Sequence, residues 1–246
     1  MMDQIQTLEQ LLDELIARQP DIFELLGGSL YSFNGHSIPR VTSIIEASIY
    51  EKSLMEWANK LGWQRQSYDE YMKRAADIGT QAHEAINDRI SGLSTTPQSI
   101  EAQNAYLSFV RWFNDISSRN QVSVVMNEHG LTCEYFGGTV DGVYNINGLL
   151  YVIDYKTGNH VGYRYFLQLA AYTYMLEKAG YQITGCIVVQ LCKTESTYNE
   201  FLLDLRKPDD KWFFDNCRVA FLTMTLWYYY RRLLDRSYDN IVGGGR

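Results

Sequence analysis

Residues 138–156 read GTVDGVYNINGLLYVIDYK and contain the strongest structural signal in the chain. Two runs of alternating apolar residues flank Asn147-Gly148, a dipeptide typical of a two-residue type I′ turn between antiparallel strands. In such a turn Ile146 faces Leu149 and Tyr144 faces Tyr151. Each step back along the first strand is matched by one step forward along the second. The segment therefore predicts a β-hairpin whose register can be counted residue by residue.

The counted register places two acidic side chains against each other. Asp141 falls opposite Asp154, and Thr139 falls opposite Lys156. Asp154 and Lys156 point to the same face, because side chains two apart on a strand do so. Like charges directly opposite each other, roughly 5 Å apart at Cβ, destabilise a sheet unless something compensates them. A divalent cation is the natural compensation, so the hairpin predicts a metal site.

The composition is that of a globular protein. The chain has 246 residues, of which 46% are hydrophobic and 21% charged, so it can bury one sizeable core or a core plus a smaller helical lobe. No apolar run approaches the roughly 20 residues that cross a bilayer. Residues 1–15 contain acidic residues and no Lys or Arg, which argues against a secretory or transit peptide. We expect a cytoplasmic protein with no membrane partner.

The net charge of −7 and the pI near 5.1 are unusual for a protein that binds nucleic acid, because phosphate contacts favour a basic surface. Clustered site carboxylates contribute to this charge, and bound metal ions would offset part of it. The cysteines lack the paired spacing of a disulfide framework, a zinc ribbon or an iron–sulfur cluster, so we expect small buried hydrophobic side chains. They are Cys133, Cys186, Cys192 and Cys217.

The chain divides at about residue 120, and residues 1–120 predict a mostly helical N-terminal lobe integrated with the core. Apolar residues recur at helical spacing over 3–17, and Pro20 and Gly27-Gly28 end that region. A second helix begins within 38–45, with Thr42 or Ser43 as the candidate N-cap. The other predicted elements are a short strand or hairpin over 29–37 and helices over 52–61, 67–90 and 98–117.

Residues 121–246 predict an α/β core. Segments 121–128, 131–146 and 149–155 form a three-stranded antiparallel meander, and a helix follows over about 162–179. The continuous apolar run 185–192 is typical of a central strand covered on both faces. The remaining predicted elements are a strand over 198–205 beside it, a final helix over about 208–236 and a flexible tail at 243–245.

Five short segments are each weak signals, but together they are specific in order and spacing. They are IPRVT (38–42), GTQAH (79–83), GTVD (138–141), IDYKT (153–157) and QLAAY (168–172). They resemble motifs of the PD-(D/E)xK nuclease superfamily, and more narrowly of its RecB-like exonuclease branch, which includes phage exonucleases and the mitochondrial genome-maintenance exonuclease. Arg40 departs from this pattern, because it stands where those proteins have Ser.

The resemblance implies a restriction-endonuclease-like core, a mixed central sheet flanked by helices. It also implies one or two Mg²⁺ or Mn²⁺ ions held by Asp141, Asp154 and the main-chain carbonyl of Tyr155. His83 is expected to complete a metal position, and an imidazole ligand makes Mn²⁺ more competitive. Lys156 is expected to orient or deprotonate the attacking water and to stabilise phosphate charge.

The third carboxylate depends on where the first hairpin of the meander turns. If the chain turns at His129-Gly130, Glu128 lies at the tip, far from Asp141. If it turns near Cys133-Glu134, Glu128 falls opposite Thr139 and close to the site. The family carries a Glu on this strand, so we prefer the second register and Glu128, with Glu134 as the alternative.

The helix after Lys156 carries a polar stripe. Arg164, Gln168 and Tyr172 are one turn apart and share a face. Such a stripe is normally solvated surface, and Tyr172 could simply be a half-buried aromatic residue. The resemblance instead implies that Gln168 and Tyr172 position the catalytic groups and the DNA strand. The residues expected to contact nucleic acid are Arg40, Thr42, Thr157 and Arg164.

The N-terminal lobe interleaves aromatic and cationic residues, which is the pattern of single-strand binding. The alternative is that these aromatic side chains pack the core of the lobe itself. The aromatic residues are Trp57, Trp63, Tyr68 and Tyr71, and the cationic ones are Lys52, Lys60, Arg65, Lys73 and Arg74.

The sequence thus predicts a metal-dependent DNA exonuclease that acts on single strands or strand ends in repair or recombination, encoded by a bacterium or a phage. The alternatives are an endonuclease or double-strand exonuclease of the same fold, and a catalytically inactive nucleic-acid-binding or assembly subunit. The sequence contains no P-loop, so ATP-driven unwinding is not encoded here. A helicase or a recombinase is the candidate protein partner.

Overall fold

The computed structural model describes residues 1–26, 31–50 and 52–243, which form an α/β fold with a five-stranded sheet flanked by helices. Three sequence predictions lie wholly or partly outside these residues. They are the end of the first helical region at Gly27-Gly28, the first two residues of the hairpin over 29–37, and the tail after Gly243.

The described part of the chain contains seven α-helices, a 3₁₀ helix and seven strands. The helices are α1 Met2–Arg18, α2 Val41–Ser48, α3 Lys52–Trp63, α4 Tyr68–Ile90, α5 Ile100–Arg119, α6 Tyr163–Lys178 and α7 Pro208–Gly243, with the 3₁₀ helix at Pro20–Leu25. The strands are β1 Tyr31–Phe33, β2 His36–Ile38, β3 Val122–Thr132, β4 Gly137–Ile146, β5 Leu149–Lys156, β6 Ile183–Leu191 and β7 Tyr198–Asp204.

The sheet has the order β3-β4-β5-β6-β7. The predicted antiparallel meander of β3, β4 and β5 is confirmed, and β6 pairs in parallel with β5 after the crossover through α6. The predicted interior strand is confirmed as β6, whose residues alternate between two apolar clusters on opposite faces. β7 then pairs antiparallel with β6, as the sequence predicted.

Helices cover both faces of the sheet. On one face α1, α2, α6 and α7 share a core with residues such as Val143 and Val152. On the other face α4 and α5 contribute Ala82, Phe109 and Trp112 to a second core. The division at residue 120 stays a prediction. Among the described residues, no helix has both the length and the apolar character needed to cross a bilayer.

The start of α2 differs from the sequence prediction. Its N-cap is Arg40, not Thr42 or Ser43, because Val41 is already helical and the Ile44 amide donates to the Arg40 carbonyl. A bridge between Arg40 and Gly137 holds Arg40 in an extended conformation, which suits an N-cap. The main chain of Arg40 therefore caps α2, and its bridge to Gly137 in the sheet holds it in place. No side chain forms a cap hydrogen bond.

The Asn147-Gly148 turn is confirmed. Both residues have positive φ, 55° and 85°, as a type I′ turn requires. The counted register holds from Ile146–Leu149 to Gly142–Ile153 and ends there. Asp141 and Asp154 were predicted to pair across the two strands, and so were Thr139 and Lys156. Neither pair forms, because β4 is paired with β3 alone beyond Gly142.

Candidate metal centre

Asp141 lies where the pairing between β4 and β5 ends, one residue before Gly142. Asp141 is 8% exposed, and its Oδ2 accepts a hydrogen bond of 2.7 Å from the main-chain amide of Tyr155. The carboxylate thus occupies the place of a missing ladder partner. This hydrogen bond holds Oδ2, and Oδ1 lies 3.6 Å from His83 Nδ1.

The loop between β3 and β4 places Glu128 beside Asp141. The Cys133 amide donates to the Phe136 carbonyl and closes a loop centred after Glu134, so the predicted turn near Cys133-Glu134 is confirmed. The predicted facing of Glu128 and Thr139 is wrong, because Thr139 faces Gly130. Glu128 instead lies between the pairs Asn127–Gly142 and His129–Val140, at the level of Asp141, with a φ of 44°.

The alternative carboxylate, Glu134, is engaged elsewhere. It forms an ion pair of 3.1 Å with Lys178 at the C-terminal end of α6. It does not belong to the group of potential metal ligands in the described residues. Glu128 is therefore the carboxylate that the fold brings to the site.

The GTQAH segment explains how α4 delivers His83. Gly79 lies close to the loop after β5, where an added Cβ would be 3.6 Å from Thr157 Oγ1. Gln81 accepts hydrogen bonds from the amides of Gln98 and Ser99, which directly precede α5, and Ala82 is fully buried. The segment thus packs α4 against two neighbours and leaves His83 facing the end of β5.

Three potential ligands converge at this point. Single donor atoms of His83, Glu128 and Asp141 all lie within 4.8 Å of one another. His83 Nδ1 lies 3.3 Å from Glu128 Oε1 and 3.6 Å from Asp141 Oδ1, while Nε2 lies 3.2 Å from the Tyr155 carbonyl oxygen. Burial alone would lower the pKa of His83, but Asp141 and Glu128 outweigh it and raise the pKa to about 9.

Asp154 and Lys156 lie beside these ligands on one face of β5, as predicted. Lys156 Nζ donates a 2.8 Å hydrogen bond to Asp154 Oδ1, and Asp154 is completely buried. Burial raises the pKa of Asp154; Lys156 opposes the shift and Asp141 adds to it. Burial alone would lower the pKa of Lys156, but the negative charges of Asp154 and Asp141 raise it, so the side chain is an ammonium.

Two observations fit a cation at this site. Imidazole nitrogen and carboxylate oxygen are suitable ligands for Mn²⁺, and carboxylate oxygen is suitable for Mg²⁺. In addition, Asp154 Oδ2 is buried without a hydrogen-bond partner among the described residues. A buried acceptor left in this condition costs free energy, which a bound cation would offset. The donor set does not distinguish Mg²⁺ from Mn²⁺.

Gln168 and Tyr172 extend the site along α6. Gln168 Nε2 donates a 2.8 Å hydrogen bond to the Tyr172 hydroxyl. Tyr172 is 3% exposed, and its ring lies against the main chain of Gly138 in β4. Burial raises the pKa of Tyr172, and the charges of Asp141 and Asp154 raise it further. Tyr172 is therefore a neutral phenol that is fully buried, not half-buried, and it packs in the apolar core of this face of the sheet. Its role in positioning the catalytic groups stays a prediction.

Tyr31 is a neighbour of the site that the sequence did not reveal. Its hydroxyl lies 2.7 Å from Thr139 Oγ1, and its ring contacts Gly137, where an added Cβ would be 2.8 Å away. An aromatic ring thus packs against the main chain at both Gly137 and Gly138. Consecutive glycines inside a strand are the signal that could have indicated this close approach.

A cavity of about 390 Å³ adjoins the site between α2 and the start of α6. Lys156 Nζ lies 5.1 Å from the ring centre of Tyr165, which links the cavity to β5. Two of the four predicted nucleic-acid-binding residues, Thr42 and Arg164, lie in its wall. Its lining consists of Thr42, Ile45, Glu46, His160, Gly162, Arg164, Tyr165 and Gln168.

The other two predicted nucleic-acid contacts do not line this cavity. Thr157 lies beside Gly79 of α4 and lines a separate cavity of about 270 Å³ with residues of β6 and β7. Arg40 caps α2 next to the start of β4. His160, for which the sequence suggested no role, lines the first cavity together with Arg164.

The aromatic residues of α3 and α4 divide into two groups. Trp57 packs edge-on against Tyr68 and Tyr71, with ring centres 5.7 Å and 4.8 Å apart, so these three form an aromatic contact between α3 and α4. Trp63 is 89% exposed. Arg74 forms an ion pair with Glu101, and the Lys52 side chain lies outside the described structure.

Comparisons with known proteins leave the family open. No protein-family model matches the sequence, and no curated protein matches it. Among solved structures that do match is the crystal structure of SSO0001, with a TM-score of 0.38 and 12% identity over 89% of this chain and 86% of that chain. At this TM-score and identity, the likeness carries no argument about family or activity.

Proposed function

We propose that the protein is a metal-dependent DNA exonuclease with a restriction-endonuclease-like core, of the RecB-like class. One observation carries the proposal. His83, Glu128 and Asp141 converge from α4, β3 and β4 on the end of β5, where buried Asp154 pairs with Lys156. Metal-assisted phosphodiester hydrolysis uses acidic metal ligands and a cationic side chain in one place, and these residues supply both.

The residues have separate chemical tasks in this proposal. A bound Mg²⁺ or Mn²⁺ would supply Lewis acidity to the scissile phosphate and an activated water. Lys156, an ammonium held by Asp154, would donate to a phosphate oxygen and stabilise developing negative charge. This favours the phosphate-stabilising task of Lys156 over the water-deprotonating one. Gln168 and Tyr172 are hydrogen-bonded to each other, and they would orient the DNA strand next to the carboxylates.

The surroundings support a nucleic-acid strand as the substrate. The cavity beside Lys156 offers Arg164, Thr42 and His160, whose donors suit phosphate oxygens. Exposed Trp63 on α3 adds an aromatic surface on which a base could stack. We therefore propose single-stranded DNA or free strand ends as substrate, with bases stacked on α3 and phosphates directed to the cavity.

The test uses end-labelled linear DNA and closed circular DNA, each single- and double-stranded, with Mg²⁺ or Mn²⁺. We expect degradation of linear single strands, with closed circles intact. The absence of cleavage of every substrate would overturn the proposal, and binding without cleavage would indicate a non-catalytic subunit. Cleavage of closed circles would exclude the exonuclease and leave an endonuclease.

Matched variants assign the cleavage to this site. Lys156→Ala is expected to lower the rate by on the order of a hundredfold, the effect of removing one charge-stabilising donor. Asp141→Asn is expected to abolish cleavage, whereas Glu134→Gln, remote in the ion pair with Lys178, should retain it. Equal activity of all three variants would attribute the cleavage to a contaminant.

A further inference from the structure

Helix α7 has apolar residues on two opposite faces, and the fold uses one of them. Phe221, Leu222, Tyr228 and Tyr229 are buried in the core. On the same side, Arg236 donates hydrogen bonds to Asp21 and to Gln19. These contacts fix the rotation of the helix, so the opposite face points away from the protein.

The outward face carries a continuous apolar stripe. Its residues recur every three or four positions, the spacing of a helix surface that packs against another helix. Their exposed fractions run from 43% to 80%. The stripe consists of Trp227, Tyr230, Leu234, Tyr238 and Ile241.

The size of the stripe is that of an interface. Aromatic side chains bury about 150–250 Å² each, so the exposed parts of these residues offer on the order of 700 Å². This approaches the roughly 800 Å² per partner of a standard specific interface, and it exceeds the apolar patch of most monomers.

We propose that the stripe is a homodimer interface in which the α7 helices of two copies pack antiparallel about a two-fold axis at Leu234. The stripe is symmetric about this residue. Trp227 of one copy would face Ile241 of the other, Tyr230 would face Tyr238, and Leu234 would meet Leu234. An isologous contact of this kind closes after two copies.

The charges beside the stripe select the antiparallel orientation. Arg231 and Asp235 are exposed and lie on the same flank of the stripe. A two-fold axis perpendicular to both helices brings identical flanks together. Arg231 of each copy would then lie next to Asp235 of the other, which forms two ion pairs. A parallel pairing would set both residues against the opposite flank, which holds uncharged Ser237.

Sedimentation equilibrium of the full chain at micromolar concentration tests the proposal. We expect a species of twice 28.5 kDa for the wild type and of 28.5 kDa for Leu234→Glu. The matched control is Leu107→Glu, a Leu of similar exposure (46% against 57%) on α5, which should remain dimeric. A monomeric wild type, or a Leu234→Glu variant that stays dimeric, would overturn the interface.

A charge exchange tests the orientation and does not depend on any nuclease activity. Asp235→Arg alone should weaken the dimer, because the substituted side chain of each copy would lie next to the like-charged Arg231 of the other. Adding Arg231→Asp should restore the wild-type dissociation constant. Circular dichroism confirms that both variants are folded, and failure of a folded double variant to restore the dimer would overturn the antiparallel arrangement.

Discussion

The ring of Tyr172 lies so close to the main chain of Gly138 that an added Cβ would stand 2.6 Å from Tyr172 Cε1. We expect Gly138→Ala to displace Tyr172 and break its hydrogen bond to Gln168. Overpacking of this kind costs about 1–3 kcal/mol of unfolding free energy. Under the proposed function, DNA cleavage should fall by at least tenfold. Chemical denaturation and a rate assay measure the two effects.

The control for this substitution is Gly130→Ala on β3, where no atom lies within 4 Å of the added Cβ. It should leave both the stability and the cleavage rate close to those of the wild type. Equal effects at Gly138 and Gly130 would show that the Tyr172 contact is not responsible.

Metal binding should release protons. With a pKa of about 9, His83 is protonated at pH 7.5 in the metal-free protein, whereas a metal ligand must be neutral. Protonation of this raised-pKa group stabilises the metal-free fold below pH 6.5, and this contribution is lost as the pH rises through 9. Calorimetric titration with Mn²⁺ in buffers of different ionisation enthalpy should therefore show a buffer-dependent heat at pH 7.5. His83→Gln should abolish that dependence, and a heat independent of the buffer in the wild type would contradict the prediction.

The choice of third carboxylate can be tested by metal affinity. Glu128→Gln should weaken Mn²⁺ binding by on the order of tenfold or more, because it removes one of three converging donors. Glu134→Gln is the matched control, since Glu134 pairs with Lys178. A thermal-shift titration with Mn²⁺ compares the two variants. Weaker binding in Glu134→Gln alone would reverse the assignment.

The loop after β7 should contribute stability that is lost in acid. Hydrogen bonds from the Arg206 side chain and amide lower the pKa of Asp204 from 3.8 to about 2. This stabilisation is present above pH 4 and is lost as the pH falls through 2. Asp204→Asn should therefore melt at a lower temperature than the wild type at pH 5. The difference should shrink between pH 4 and pH 2, and a constant difference across this range would contradict the prediction.

Local patterns predicted most of the elements, because each was marked within a few residues. The Asn147-Gly148 turn fixed one hairpin, and the apolar run at 185–192 identified an interior strand. The position of Glu128 depended on the centre of the loop after β3. Because that loop is centred one residue later than assumed, Gly130 and not Glu128 faces Thr139.

Contacts made across the fold could not be read from the sequence. Arg40 caps α2 because Gly137, far along the chain, holds it extended. α7 runs on to Gly243, beyond the predicted end near 236. The 3₁₀ helix at Pro20–Leu25 was not predicted from the sequence. Pro20 was interpreted as the end of the first helix, although proline is also common at the first position of a helix.

The convergence of His83 with Glu128 and Asp141 has a consequence for local order. α4 brings one potential ligand, and the sheet brings the other two. An ion held by all three would join the helix to the sheet and oppose local opening of α4. Amide hydrogen exchange in α4 would then slow with metal occupancy while exchange in β6, deep in the sheet, stays the same. The ion would thus stabilise the position of α4 against the sheet, in addition to its part in the proposed chemistry.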